Sequence, residues 1–282
     1  MRRFVAGAVL CCVLAACEGP ERPVTEYVDP FIGTGAHGHT YPGATVPFGM
    51  VQLSPDNGRS GWDWVSGYHY SDSVIAGFGH THLSGTGIGD LADILFMPVG
   101  GAIDLARDYA SPFSHARESA EPGYYSVVLD GPGITVELTA TDRVGMHRYT
   151  YPAGSEPGVV VDLGYSMNWD RPTDTYIVIE NDTLVTGHRL STGWAADQRV
   201  YFAAAFSRPI VGSALADDSV RLRERDEARG GHIKGLFEIG GGGGELLVKV
   251  GISYVDIEGA LRNLEAEVPH WDFDRVRQEA RA

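Results

Sequence analysis

From about residue 27 to residue 256, short runs of β-branched and aromatic residues alternate with clusters of turn-forming residues. Glycine is abundant throughout, with 37 in the chain, and prolines are scattered between the runs. A chain punctuated this often cannot build long helices, but it can build many short strands joined by tight turns. The candidate strands are 45–53, 93–99, 124–129, 134–141, 145–151, 158–163, 176–180, 184–190, 199–206, 219–224, 232–238 and 245–255. Thr141-Asp142-Arg143 and Glu180-Asn181-Asp182-Thr183 each separate two such runs and read as hairpin turns. A dozen short strands at this spacing predict an all-β fold, a large antiparallel β-sandwich. Gly240 to Gly244 form a glycine run between two strands. No helix and no Lys-Ser/Thr pair follows it, so it reads as a flexible hairpin loop rather than a phosphate cradle.

The pattern changes near residue 256. Ile257, Ala260, Leu261, Leu264 and Val268 recur at helical spacing, and Pro269 stops that helix. Asp272 then caps a second amphipathic segment carrying Phe273, Val276 and Ala280. Residues 256–282 are therefore expected to form a short helical linker after the sandwich.

The N-terminus carries an export signature. Arg2 and Arg3 precede an uncharged apolar run, 4–16, which is shorter than the roughly 20 residues that span a bilayer. Residues 1–16 are expected to be a signal peptide and 17–26 a polar tether. Leu14-Ala15-Ala16-Cys17 resembles a bacterial lipobox, which makes Cys17 the expected lipidation site. Several acyl chains on one cysteine give a lasting membrane anchor, since each buried CH₂ is worth about 0.8 kcal/mol. The other two cysteines, Cys11 and Cys12, fall inside the leader, so the mature chain has no disulfide to form. A net charge of −15 disfavours nucleic acid as a partner, because such binding depends on Lys and Arg neutralising phosphates.

The chemistry-bearing residues crowd between residues 27 and 98. His37, His39, His69, His80 and His82 lie there, with Trp62, Trp64, Tyr41, Tyr68 and Tyr70 and the acids Asp56, Asp63, Asp72, Asp90 and Asp93. Two His-x-His pairs, His37/His39 and His80/His82, could each chelate zinc from one face of a strand. No cysteine or His-Glu-x-x-His pattern supports that reading, and loop histidines bonded to backbone are the commoner case. Trp62-Asp63-Trp64 followed by Tyr68-His69-Tyr70 suits a sugar, with aromatic faces against C–H groups and polar side chains on hydroxyls. The acids do not single out a catalytic pair, and no Gly-x-Ser-x-Gly elbow is present.

Several longer strings carry a family resemblance. They are Tyr27-Val28-Asp29-Pro30-Phe31-Ile32-Gly33-Thr34-Gly35, His37-Gly38-His39-Thr40-Tyr41-Pro42-Gly43-Ala44, Gly61-Trp62-Asp63-Trp64 with Ser66-Gly67-Tyr68-His69-Tyr70, and Gly77-Phe78-Gly79-His80-Thr81-His82-Leu83-Ser84-Gly85-Thr86-Gly87. They resemble the N-terminal domain of glycoside hydrolase family 92, the exo-α-mannosidases, over essentially the whole mature chain. The resemblance implies a galactose mutarotase-like supersandwich over 27–255 and, over 256–282, a linker that leads in the family to an (α/α)6 barrel. It implies calcium-dependent, inverting release of terminal α-mannose from mannose-containing glycans. The general acid, the general base and the calcium ligands come mainly from the barrel, so the chain alone is not expected to catalyse and no metal site is expected in it. One tryptophan of the front domain lines the leaving-sugar subsite, and Trp62 and Trp64 both match its motif. The segments bearing His37 and His39, and His80 and His82, are expected to face the cleft. A stand-alone glycan-binding lipoprotein is the alternative.

Overall fold

The computed structural model describes residues 22–101, 103–106, 109–222 and 225–282. Cys17 and the expected leader lie outside the described residues.

The strands form two stacked antiparallel sheets. The first has 8 strands in the order β1 (Ala44–Thr45), β2 (Gln52–Asp56), β4 (Gly77–Gly79), β5 (Leu95–Gly100), β10 (Pro157–Asp162), β17 (Ile233–Ile239), β14 (Ile210–Asp217) and β15 (Val220–Leu222). The second has 10, in the order β16 (Glu227–Gly230), β11 (Arg171–Asn181), β12 (Leu184–Thr192), β13 (Gln198–Phe206), β18 (Gly244–Ser253), β9 (Val144–Tyr151), β8 (Ile134–Ala140), β7 (Tyr124–Leu129), β6 (Ser111–Glu121) and β3 (Val74–Ile75). The core lies between them. Ile134, Val136 and Leu138 of β8 point into it at every second residue, and β5 and β10 are buried along almost their whole length.

Both hairpins read from the sequence are present: β8 pairs with β9, and β11 with β12. Two expectations are corrected. The run at 45–53 is not one strand but the hairpin of β1 and β2, with Ala44 opposite Leu53. Pro47 cannot donate to a ladder, and Phe48 sits at φ +64°, so the chain reverses there. The glycine run 240–244 is not a hairpin loop, because β17 and β18 belong to different sheets and the loop crosses between them.

The two C-terminal helices cover the outer face of the larger sheet. α1 (Ile257–Glu267) is capped by Asp256, whose carboxylate accepts from the Gly259 amide, and it packs on β13 and β18. It approaches closely because Gly251 has no side chain: a Cβ there would lie 2.5 Å from the Ala260 carbonyl oxygen. α2 (Phe273–Arg281) is capped by Asp272 and lays Phe273 and Val276 on Val144 and Met146 of β9. Burying each such side chain stabilises by about 1.5–3 kcal/mol. On β9 the odd residues Gly145, His147 and Tyr149 turn to the inter-sheet space, while Val144 and Met146 turn outward to α2.

Candidate functional site

At one end of the sandwich, the loops before β1, between β2 and β3, and between β4 and β5 gather the histidine and tryptophan residues. Residues Trp62–Trp64 form a single 3₁₀ turn, entered through Gly61 at φ +142°. The Gly61 amide donates to Asn168 Oδ1 at 2.7 Å, and its carbonyl accepts from Asn168 Nδ2 at 3.1 Å. This pair of hydrogen bonds fixes the turn, and Trp62 is left 56% exposed.

Two histidine rings flank the Trp62 indole. His37 lies 5.2 Å away between ring centroids, and His39 meets the indole edge-on at 4.3 Å. His37 Nδ1 is 2.5 Å from Asp63 Oδ1 on the same 3₁₀ turn. With Nδ1–H donating to that carboxylate, Nε2 of this exposed ring is the acceptor presented to solvent. His39 is buried, with a left-handed backbone at φ +55°, and its Nε2 finds no partner among the described residues. The loop holding both is compact. A Cβ at Gly38 would lie 2.0 Å from the Gly33 carbonyl oxygen, and the Ala36 carbonyl accepts from His69 Nε2 at 3.1 Å. The sequence 85–90 closes the third side. Gly85 donates its amide to the His39 carbonyl at 2.6 Å, and Gly87 packs on the Trp62 indole nitrogen.

Trp64 has a different setting. Its Nε1–H donates to Asp72, its ring lies against His69, and Arg59 stands over it while pairing with Asp72. Of the two tryptophans, Trp62 is the exposed one.

His80 and His82 do not join this cluster. Both are buried in the sandwich. His80 Nδ1 donates to the Ile94 carbonyl at 2.6 Å and its Nε2 meets His147 at 3.0 Å. His82 Nδ1 donates to the Gln52 carbonyl at 2.7 Å and its Nε2 meets the buried Asp56 at 3.1 Å. The expectation that these rings face a cleft is corrected: every ring nitrogen is spent on the protein interior. Among the described residues, no three His, Cys, Asp or Glu side chains converge as a metal-ligand set.

Sequence reasoning missed two further tryptophans at this end, Trp169 and Trp194, both exposed. The Trp169 amide donates to the Gly89 carbonyl at 3.3 Å. Asp90 accepts from the amides of Trp194 and Ala195 at 3.1 and 3.0 Å. A lone tryptophan beside Asn168 or Gly193, inside a turn-like stretch, was the available signal.

Comparison with known proteins bears on this arrangement. The N-terminal domain of glycosyl hydrolase family 92 matches residues 27–253. The chain belongs to this family. Its fold superposes on the family GH92 α-mannosidase BT3965 from Bacteroides thetaiotaomicron, solved in complex with mannoimidazole, with a TM-score of 0.86 and 35% identity over 92% of this chain. The GH92 glycosyl hydrolase ccman5 matches at a TM-score of 0.81 and 31% identity over 91% of this chain. The inverting GH92 mannosidase BT2199 from Bacteroides thetaiotaomicron matches at 0.79 and 29%, also over 91%. An uncharacterized secreted glycosidase from Arthroderma benhamiae is 26% identical across 97% of this chain, which spans 39% of that protein. The chain spans 36% of BT3965 and ccman5 and 35% of BT2199, so it corresponds to their N-terminal part.

Proposed function

We propose that this chain is the N-terminal part of a calcium-dependent, inverting exo-α-mannosidase and supplies one wall of the cleft that receives mannose-containing glycans. The observation that carries the reading is the exposed Trp62 face, flanked by His37 and His39, in a chain of family 92. The α-mannosidases among its structural relatives support the substrate class.

In this reading Trp62 stacks on the C–H face of a sugar ring, and His37, held by Asp63, accepts a hydroxyl proton through Nε2. Inversion needs two carboxylates roughly 6.5–9.5 Å apart with a water between base and sugar. We assign that pair to a C-terminal (α/α)6 domain. The acids around Trp62 are engaged elsewhere: Asp63 with His37, Asp72 with Trp64 and Arg59, and Asp90 with two backbone amides. Calcium takes 6–8 oxygen ligands, and these committed carboxylates do not fit such a site. The ion is therefore assigned to the same C-terminal domain, and no step on this chain runs through it.

Export is part of the proposal, with cleavage after Ala16 and a lipid on Cys17. The leader sequence supports it, as does the secreted relative.

Titration of the chain with methyl α-mannoside, followed by ligand-observed NMR, tests the glycan reading. Binding in the millimolar range that Trp62→Ala removes is the expected result. No contact between the parent chain and the mannoside at millimolar concentration overturns it.

A further inference from the structure

Trp169 and Trp194 are 50% and 74% exposed, and neither is explained by the Trp62 site. An exposed indole forgoes the burial that normally makes tryptophan useful to a fold. Here the exposure is built in. Asn168, which holds Gly61 through two hydrogen bonds, directly precedes Trp169, and Gly61 directly precedes Trp62. The Trp169 and Trp194 amides bond to neighbouring residues of one segment, Gly89 and Asp90.

Three glycines show how closely these parts fit. A Cβ at Gly87 would lie 2.7 Å from the Trp62 indole nitrogen, one at Gly89 would lie 2.4 Å from Asn168 Nδ2, and one at Gly193 would lie 2.3 Å from Asp90 Oδ1. From below, the buried Arg189 donates to the Tyr165 carbonyl at 2.9 Å and pairs with Asp170, clamping both sides of Trp169. The segment 85–90 is thus a strap on which three tryptophan-bearing loops are fastened. Such fixing means little conformational entropy is lost when a ligand arrives.

The surroundings mix polar and apolar groups. Beyond Asp90 the strap leads to Leu91, which with Asp197, Gln198, Arg199, Val200 and Tyr254 lines a hollow of about 310 Å³. Protein-docking surfaces bury a contiguous core from which charged residues are depleted. Isolated aromatic faces set among amide, guanidinium and phenol groups are what a sugar chain requires, with flat C–H faces and hydroxyls at every ring.

We infer that Trp169 and Trp194 form a second carbohydrate-binding surface, which takes further inner sugars of an α-linked oligosaccharide, beyond the residue that lies at Trp62. The inference rests on the glycan reading above and extends it to a preference for substrate length.

The test compares methyl α-mannoside with an α-linked mannotetraose by calorimetry on the chain and its variants. The parent binds the tetrasaccharide at least tenfold more tightly than the monosaccharide. Trp169→Ala and Trp194→Ala each lower tetrasaccharide affinity about tenfold, leave methyl mannoside binding unchanged and keep the melting temperature. Trp169→Tyr, which retains an aromatic face, keeps most of the preference. Equal affinity for the two ligands, or alanine variants that bind the tetrasaccharide as the parent does, overturns the inference. If Trp62→Ala still removes methyl mannoside binding in that case, the glycan reading survives alone. If the parent binds neither ligand, both fall.

Discussion

Nε2 of His147 lies 3.0 Å from Nε2 of His80 in the interior of the sandwich, with both residues closed to solvent. Tyr149 Oη is 2.8 Å from His147 Nδ1, and the Ile94 carbonyl takes the proton on His80 Nδ1. With both rings neutral, one arrangement satisfies all three contacts. The Tyr149 hydroxyl donates to His147, the His147 Nε2–H donates to His80, and His80 donates to the backbone. A second proton on either ring would place a cation with no counter-ion among these contacts in the interior.

Acid should therefore weaken the fold before carboxylates titrate. Burial lowers His80 from 6.5 to about 4 and holds His147 well below its ordinary value. The unfolded chain takes up these protons near pH 6.5, while folded His80 resists until about 4. The His80 contribution thus falls as pH drops across that window and levels off below it. The His80 share alone is about 3 kcal/mol. Urea midpoints at pH 7 and pH 4 measure it, and equal midpoints would refute it.

His82 should act in the opposite sense. Burial alone would lower its pKa, but the charge of Asp56 and the bonds to Asp56 and the Gln52 carbonyl outweigh burial and raise it. Its contribution is complete below pH 6.5 and is lost as pH rises through the higher folded value. Without that carboxylate burial prevails, so in Asp56→Asn the His82 ring should shed its proton; the variant should be less stable than the parent, and its stability should be flatter between pH 6 and pH 9. Urea unfolding across that range reads both effects.

Arg189 is fully buried between Asp93, at 2.5 Å, and Asp170. Arg189→Met strands two carboxylates and should destabilise by about 3–5 kcal/mol. Burial already raises the Asp170 carboxyl. The deficit should therefore shrink toward pH 5, as the stranded carboxyls bind protons. Guanidinium titrations of parent and variant at pH 8 and pH 5 give the comparison, and a constant gap counts against the account.

Gly87→Ala places a methyl group against the Trp62 indole nitrogen, at 2.7 Å before any adjustment. Because the indole is exposed, it can move aside at little cost to the fold. The expected result is an unchanged melting temperature with methyl α-mannoside affinity reduced about tenfold. Undiminished affinity would separate Trp62 from the ligand.

The chain by itself should not turn over an α-mannoside, since the described acids around Trp62 are bonded within the protein. Release of p-nitrophenol from the aryl α-mannoside that EDTA abolishes would contradict this.

How far the sequence disclosed the structure depends on where each element draws its stability. β7 was legible to the residue, because Tyr124, Tyr125, Val127, Val128 and Leu129 are strong strand formers. α1 and α2 were legible from apolar spacing and from Asp256 and Asp272 at their starts. β6 was not, because Ser111–Glu121 carries no β-branched residue and is held by its ladder to β7, with a register shift between Phe113 and Glu118. β14 was hidden by its Gly212, Ser213 and alanines in the same way. Trp62 stood out through its motif. The burial of His80 and His82 did not, since it depends on Asp56 and His147, 26 and 67 residues away.

The strap has a consequence for how such a surface can vary. Three loops take their position from six residues, and Gly87 and Gly89 among those residues leave no slack. Lengthening any one loop would move the common ruler and so re-aim all three indoles. Changes in glycan preference should therefore arise by exchanging side chains at the tips of these loops, with the loop lengths held constant.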